Sequence, residues 1–175
     1  MNKKTIICWC LLFALSMIWG SSFILMKKSL LHFNYIEVGF YRLIIAFIVL
    51  VPFVSSTIKK IRINHILPLL IVSQIGTVLP AIIFAKSQLY IESSLAGMLN
   101  SLTPFFTLII GIVIFDKKIN SYKVIGILIS LAGSFILLSP AQNIGHNFRF
   151  SILIIIATFF YAVSINTIKE KLNTL

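Results

Sequence analysis

Four carboxylates, three histidines and two cysteines are all that this 175-residue sequence offers to acid–base, nucleophilic or metal chemistry. None is spaced for it. Glu37, Glu92, Asp116 and Glu170 fall at or near the ends of apolar runs, so no paired carboxylates can share a proton and none can relay one from mid-membrane. His32, His65 and His146 lie in different connecting stretches, with no pair at the helical spacing a metal needs. Cys8 and Cys10 sit too close for an ordinary disulfide and lack a second pair for a metal site, so they read as small apolar residues. The sequence predicts no enzyme, no cofactor and no metal.

What remains is recognition. Trp19, Ser22, Arg42, Gln74, Asn100 and Thr103 stand inside the apolar runs, where a polar group needs a partner or a ligand. Each alone reads as a contact between helices; as a set they are the candidate substrate-binding residues. Arg42 is the one basic residue well inside a run, about seven residues from its start, where a bare charge costs a few kcal/mol. It has two readings: an interfacial anchor, or the wall of an outer vestibule that meets a substrate carboxylate. The anchor asks less of the sequence. Glu37, about 140° around a helix from Arg42, is a poor partner for it.

The elements that must position these residues follow from composition. With 59% hydrophobic residues, 11% charged and a mean hydropathy of +1.05, the chain carries more apolar surface than a soluble globule of its size can enclose. It predicts an all-α polytopic bundle of six transmembrane helices, at about 6–26, 35–54, 66–84, 95–115, 122–139 and 150–168. The net charge of +11 is spread between the apolar runs, not gathered into a stripe, which disfavours nucleic acid and places the bases at a bilayer surface. With a cytoplasmic N-terminus, the inner side carries Lys3, Lys4, Lys59, Lys60, Arg62, Lys117, Lys118, Lys123, Lys169 and Lys171. The outer side carries Lys27, Lys28, Lys86 and Arg149. That bias predicts a multi-pass protein of the cell inner membrane with both termini cytoplasmic.

Pro68 suits the first turn of the third helix, whereas Pro80 and Pro104 fall inside helices and must bend them. Thr103 and Thr107 are placed to take up a carbonyl that Pro104 frees. Gly126, Ser130 and Gly133 share one face of the fifth helix, a groove that favours packing against another helix.

An offset of 142 residues lays the sixth run over the first: Ser16 over Thr158, Trp19 over Tyr161, Gly20 over Ala162, Ser22 over Ser164, Lys27 over Lys169, Leu30 over Leu172. Five spans separate the copies, so the second enters the membrane from the opposite side. Such an inverted repeat is the architecture of alternating-access carriers, whose site lies at the midplane between the halves. A second repeat as long as the first would need roughly 110 further residues. The expectation is a truncated or split carrier, or a half that pairs with another chain.

Three stretches carry a resemblance: Ile18-Trp19-Gly20-Ser21-Ser22-Phe23, Phe40-Tyr41-Arg42-Leu43-Ile44, and Ser94 to Phe106 with Asn100-Ser101-Leu102-Thr103-Pro104. With Gly126 to Leu138 in the place of a fifth helix, the ordered set resembles the EamA-type drug/metabolite transporters. The resemblance implies two inverted five-helix halves that move small metabolites, often amino acids or related solutes, across the inner membrane. Residues 1–139 would be one five-helix repeat and 150–175 the first helix of a truncated second. The implied partners are the bilayer, a small-molecule substrate, and a second half-transporter chain or a second copy. The alternative is a non-transporting membrane subunit or a defective remnant. One departure stands out: after the fourth helix that family usually has Gly-Glu, where this chain has Asp116-Lys117.

Overall fold

The structure, a computed structural model, describes residues 2–58, 60–117, 120–138 and 148–173. Lys59, Lys118, His146 and most of the junction between the expected repeats lie outside the described residues. The rest is helical, with no strand among the described residues: α1 (Lys3–Ser29), α2 (Tyr35–Ile58), α3 (Ile63–Ser73), a π turn (Gln74–Val78), α4 (Leu79–Gln88), α5 (Ser93–Asn100), α6 (Thr103–Val113), α7 (Ser121–Leu138) and α8 (Phe148–Lys171). Among the described residues five stretches are long and apolar enough to cross a bilayer: α1, most of α2, α3 through α4, α5 through α6, and α8; in the expected fifth span, Ser121–Ser134 is a shorter apolar stretch. The all-α, multi-pass expectation holds.

Surface area makes the same point. The described chain exposes 12415 Å², whereas a compact soluble protein of its mass exposes about 8,600 Å². The excess is apolar, with Phe53 77% and Phe13 69% exposed, so hydrocarbon and not water must cover it.

Local chemistry sets the helix limits. Asn34 and Glu37 form a reciprocal cap on α2: Asn34 Oδ1 accepts from the Ile36 N–H (3.3 Å) and Glu37 Oε2 from the Asn34 N–H (2.8 Å). The third span starts earlier than Pro68 suggests. His65 Nδ1 accepts from the Arg62 N–H (3.2 Å), the helix opens at Ile63, and Pro68 falls within α3 instead of in its first turn. Its missing N–H deprives only the Asn64 carbonyl, near the helix start, of a ladder bond.

Pro80 and Pro104 do more than bend. Each follows a break and sits in the first turn of a new segment: Pro80 after the π turn, Pro104 after the Ser101–Leu102 turn. Near the second break Thr107 Oγ1 donates to the Thr103 carbonyl (2.7 Å), and Thr103 Oγ1 to Asn100 Oδ1 (3.5 Å). Neither hydroxyl takes the Asn100 carbonyl that Pro104 frees.

The hub of the bundle is α8. It packs on α3, the π turn, α4, α5 and α6, and it buries Ser151, Ile154, Ala157, Thr158, Ala162, Ser164, Asn166 and Thr167. Ile154 and Ala157 join Met26, Val38, Phe84, Ala85, Ile91, Leu95 and Ala96 in the core. The tightest crossing is at the π turn, where a Cβ on Gly76 would lie 2.0 Å from Ser164 Oγ and 2.5 Å from Ser164 Cβ. Only glycine fits there. By contrast, the most apolar stretch of α1 has no buried residue, and α7 touches mainly α5.

Candidate functional site

Arg42 is exposed on α2, and its guanidinium reaches towards α1. Its Nη1 donates weakly to Met26 Sδ on α1 (3.8 Å), and its guanidinium lies within electrostatic reach of Tyr161 on α8. Tyr161 continues an aromatic ladder through the structure: its ring centroid is 5.9 Å from that of Phe84, which is 5.9 Å from that of Phe23. Residues of α1, α2 and α8 thus set an exposed guanidinium by the buried Met26 thioether and within electrostatic reach of Tyr161, from which the aromatic ladder leads to Phe84 and Phe23. A fixed cation next to apolar surface binds a carboxylate that carries an apolar body, through charge-assisted hydrogen bonds on one side and ring contact on the other.

The other expected site residues lie apart. Trp19 is 60% exposed and Ser22 half-buried on α1. Gln74 is exposed at the first position of the π turn. Asn100 and Thr103 meet each other at the break between α5 and α6. The six therefore mark four places on the bundle: α1, α2, the π turn and the α5–α6 break. Tyr161 was missed as a site residue, although its repeat partner Trp19 was singled out; that correspondence was the available signal.

Two polar knots tie the helices at the ends of the bundle. At one, Lys117 Nζ pairs with Glu170 Oε1 (2.9 Å) and donates to Asn166 Oδ1 (3.0 Å). Asn166 Nδ2 donates in turn to the carbonyls of Thr107 and Ala162 (3.0 Å each). Asp116 reaches this knot in the left-handed region, at φ 46°, the conformation glycine adopts without cost. At the other end, Lys27 Nζ donates to the carbonyls of Gln88 and Ile91, holding the C-terminal end of α4, while Gln88 Nε2 and Ser93 Oγ donate to the Phe23 carbonyl (3.3 and 3.2 Å). Gln88 and Asn166 are almost wholly buried, and neither stood out in the sequence as a fastener.

Recessed volume lies elsewhere, along α7. A groove of about 330 Å³ is lined by Ser101, Pro104, Lys123, Gly126, Ile127 and Ser130. The small-residue face expected to pack on a helix opens onto it, and a Cβ at Gly126 or Gly133 would meet no atom within 4 Å.

No group of three or more His, Cys, Asp or Glu residues that could hold a metal occurs among the described residues. A relative from Haemophilus influenzae (strain ATCC 51907 / DSM 11121 / KW20 / Rd), named an uncharacterized transporter, is 29% identical over 121 residues, 67% of this chain and 40% of its own. The chain thus spans less than half the length of that relative. No solved structure matches it. The model of the EamA-like transporter family matches residues 6–139, most of the helical bundle described above, and the chain belongs to that family.

Proposed function

We propose that this chain forms the substrate-bearing half of an inner-membrane carrier for small carboxylate-bearing metabolites, such as amino acids and related solutes, working by alternating access. The observation that carries the reading is the Arg42 guanidinium, which reaches Met26 on α1 and lies within electrostatic reach of Tyr161, itself the end of the Phe23–Phe84–Tyr161 ladder. An interfacial anchor would point its guanidinium to the headgroups and would need neither Met26 nor an α8 aromatic beside it. Family membership supports transport, and the distribution of bases supports cytoplasmic termini.

The inverted-repeat reading has support from side-chain bonding. Ser16 Oγ donates to the Phe13 carbonyl (2.8 Å), and Thr158 Oγ1 to the Ile155 carbonyl (2.7 Å), the same bond at the same offset in α1 and α8. The polar face is buried in α8 and bare in α1. In this reading the remaining helices of a second half cover α1 as α3–α6 cover α8.

Counterflow of radiolabelled amino acids in proteoliposomes tests the reading. Arg42→Gln is expected to lower flux of carboxylate substrates at least about tenfold, the cost of one lost charge-assisted contact, and Arg42→Lys to restore part of it. Equal flux in wild type and Arg42→Gln would leave the anchor reading in its place.

A further inference from the structure

We infer that the groove between α7 and the α5–α6 break is a binding site for an anionic phospholipid, with the headgroup phosphate at Lys123 and an acyl chain along Gly126, Ile127 and Ser130. The groove holds about 330 Å³, and a second recess of about 120 Å³, lined by Met98, Leu99, Ser101, Leu102, Leu131 and Ser134, lies along the same helix pair. Two features keep it open. Gly126 contributes no side chain, and even a Cβ there would touch nothing within 4 Å; α7 meets the bundle mainly through α5.

Charge selects the occupant. Lys123 is the one charged residue among the lining residues, and among the described residues it makes no ion pair; the nearby Lys117 is already committed to Glu170. Lys123 is exposed at the start of α7, among the bases that mark the inner membrane surface, so the groove offers an ammonium at headgroup level that a phosphate compensates and an apolar helix does not. Access selects the source. Ile125, Leu128 and Ile129 on the same helix are 53%, 52% and 67% exposed, so the flank of the groove faces acyl chains, and a ligand enters from the bilayer. Lys123 also stands in the first turn of α7, where the helix dipole adds to its positive potential. The site is separate from the Arg42 patch and does not rest on its role.

Native mass spectrometry of the detergent-purified full chain with equal amounts of palmitoyl-oleoyl phosphatidylglycerol and phosphatidylcholine tests the inference, since the two lipids differ only in headgroup. Phosphatidylglycerol is expected to be retained about fivefold over phosphatidylcholine, the factor that one lysine supplies at an anionic surface. Lys123→Gln is expected to bring the ratio to unity, and Lys28→Gln, at the other end of the bundle, to leave it unchanged. Gly126→Leu, and independently Ser130→Leu, are expected to lower retention of both lipids at unaltered helicity. A ratio of one in the wild type, or a preference equally sensitive to Lys28 and Lys123, would overturn the site. So would a Gly126→Leu variant that breaks a dimer and leaves lipid retention intact, which would make the groove an interface between copies.

Discussion

Gly76→Ala is the sharpest test of how α8 is seated. The added methyl would lie 2.0 Å from Ser164 Oγ and 2.5 Å from Ser164 Cβ, while carbon atoms settle at about 3.5–4.0 Å. A rotamer change can remove the Oγ but not the Cβ, so the π turn and α8 must part by roughly 1 Å. Two rigid helices meet at this point, and the gap opens along the crossing. Overpacking of this kind costs about 1–3 kcal/mol, which for a chain of this size lowers the unfolding temperature by about 2–12 °C. Ser164→Gly alone costs about 0.5 kcal/mol of helix propensity, yet in the Gly76→Ala background it removes both clashing atoms. The double variant is expected to be more stable than Gly76→Ala. Titration with dodecyl sulfate, followed by circular dichroism, suits the measurement, because exposed Cys8 and Cys10 would react with a thiol dye before unfolding. If the two substitutions simply add, Gly76 and Ser164 are not in contact, and the crossing of the third span with α8 is wrong.

The polar knot about Asn166, two residues further along α8, offers separable tests. Asn166→Ala removes two donated bonds and one accepted bond at a position 2% exposed, and is expected to cost about 1–3 kcal/mol in the same titration. The Lys117–Glu170 pair is only partly buried, at 26% and 36% side-chain exposure. Lys117→Ala is therefore expected to cost about 1 kcal/mol or less, an effect that shrinks with added salt. Exchanging the two charges in a Lys117→Glu, Glu170→Lys double variant is expected to recover more than either single reversal; failure to recover would show that the amide bonds alone hold the knot.

Helix class and the lipid-facing surface were legible because they depend on length and apolar content, and both survive in the linear chain; of the six spans expected, five are long and apolar enough to cross among the described residues. The breaks were legible only in part. Pro80 and Pro104 announced a disturbance, but the sequence does not say whether a proline bends a helix or restarts it; that depends on the π turn before Pro80 and the tight turn before Pro104. Arg42 was found by its depth, yet its direction is a tertiary fact, set by Met26 and Tyr161 from other helices. Gln88 and Asn166 were overlooked because each sits near a span end, where an amide looks solvated. Both are buried by neighbours far away in sequence: Gln88 by α1 and α8, Asn166 by α6. The Asp116-Lys117 departure from the family pattern carries a contact of its own, the pairing of Lys117 with Glu170.

The first and last helices offer a final test, because one pattern stands in two environments. Ser16 and Thr158 make the same bond to the carbonyl three residues back, so their local backbones are equivalent. Thr158 is fully buried, whereas Ser16 is exposed. Thr158→Leu must force a larger side chain among α8's neighbours and is expected to cost about 1–3 kcal/mol; Ser16→Leu is expected to stay within about 0.5 kcal/mol in the isolated chain. The difference has a functional edge under the proposal that a second half covers α1. There Ser16→Leu would meet the same crowding as Thr158→Leu, and is expected to weaken assembly and flux while leaving the lone chain as stable as before. Ser16→Leu chains that assemble and transport like wild type would show that this face of α1 meets lipid throughout, and the two helices would then share a pattern without sharing a role.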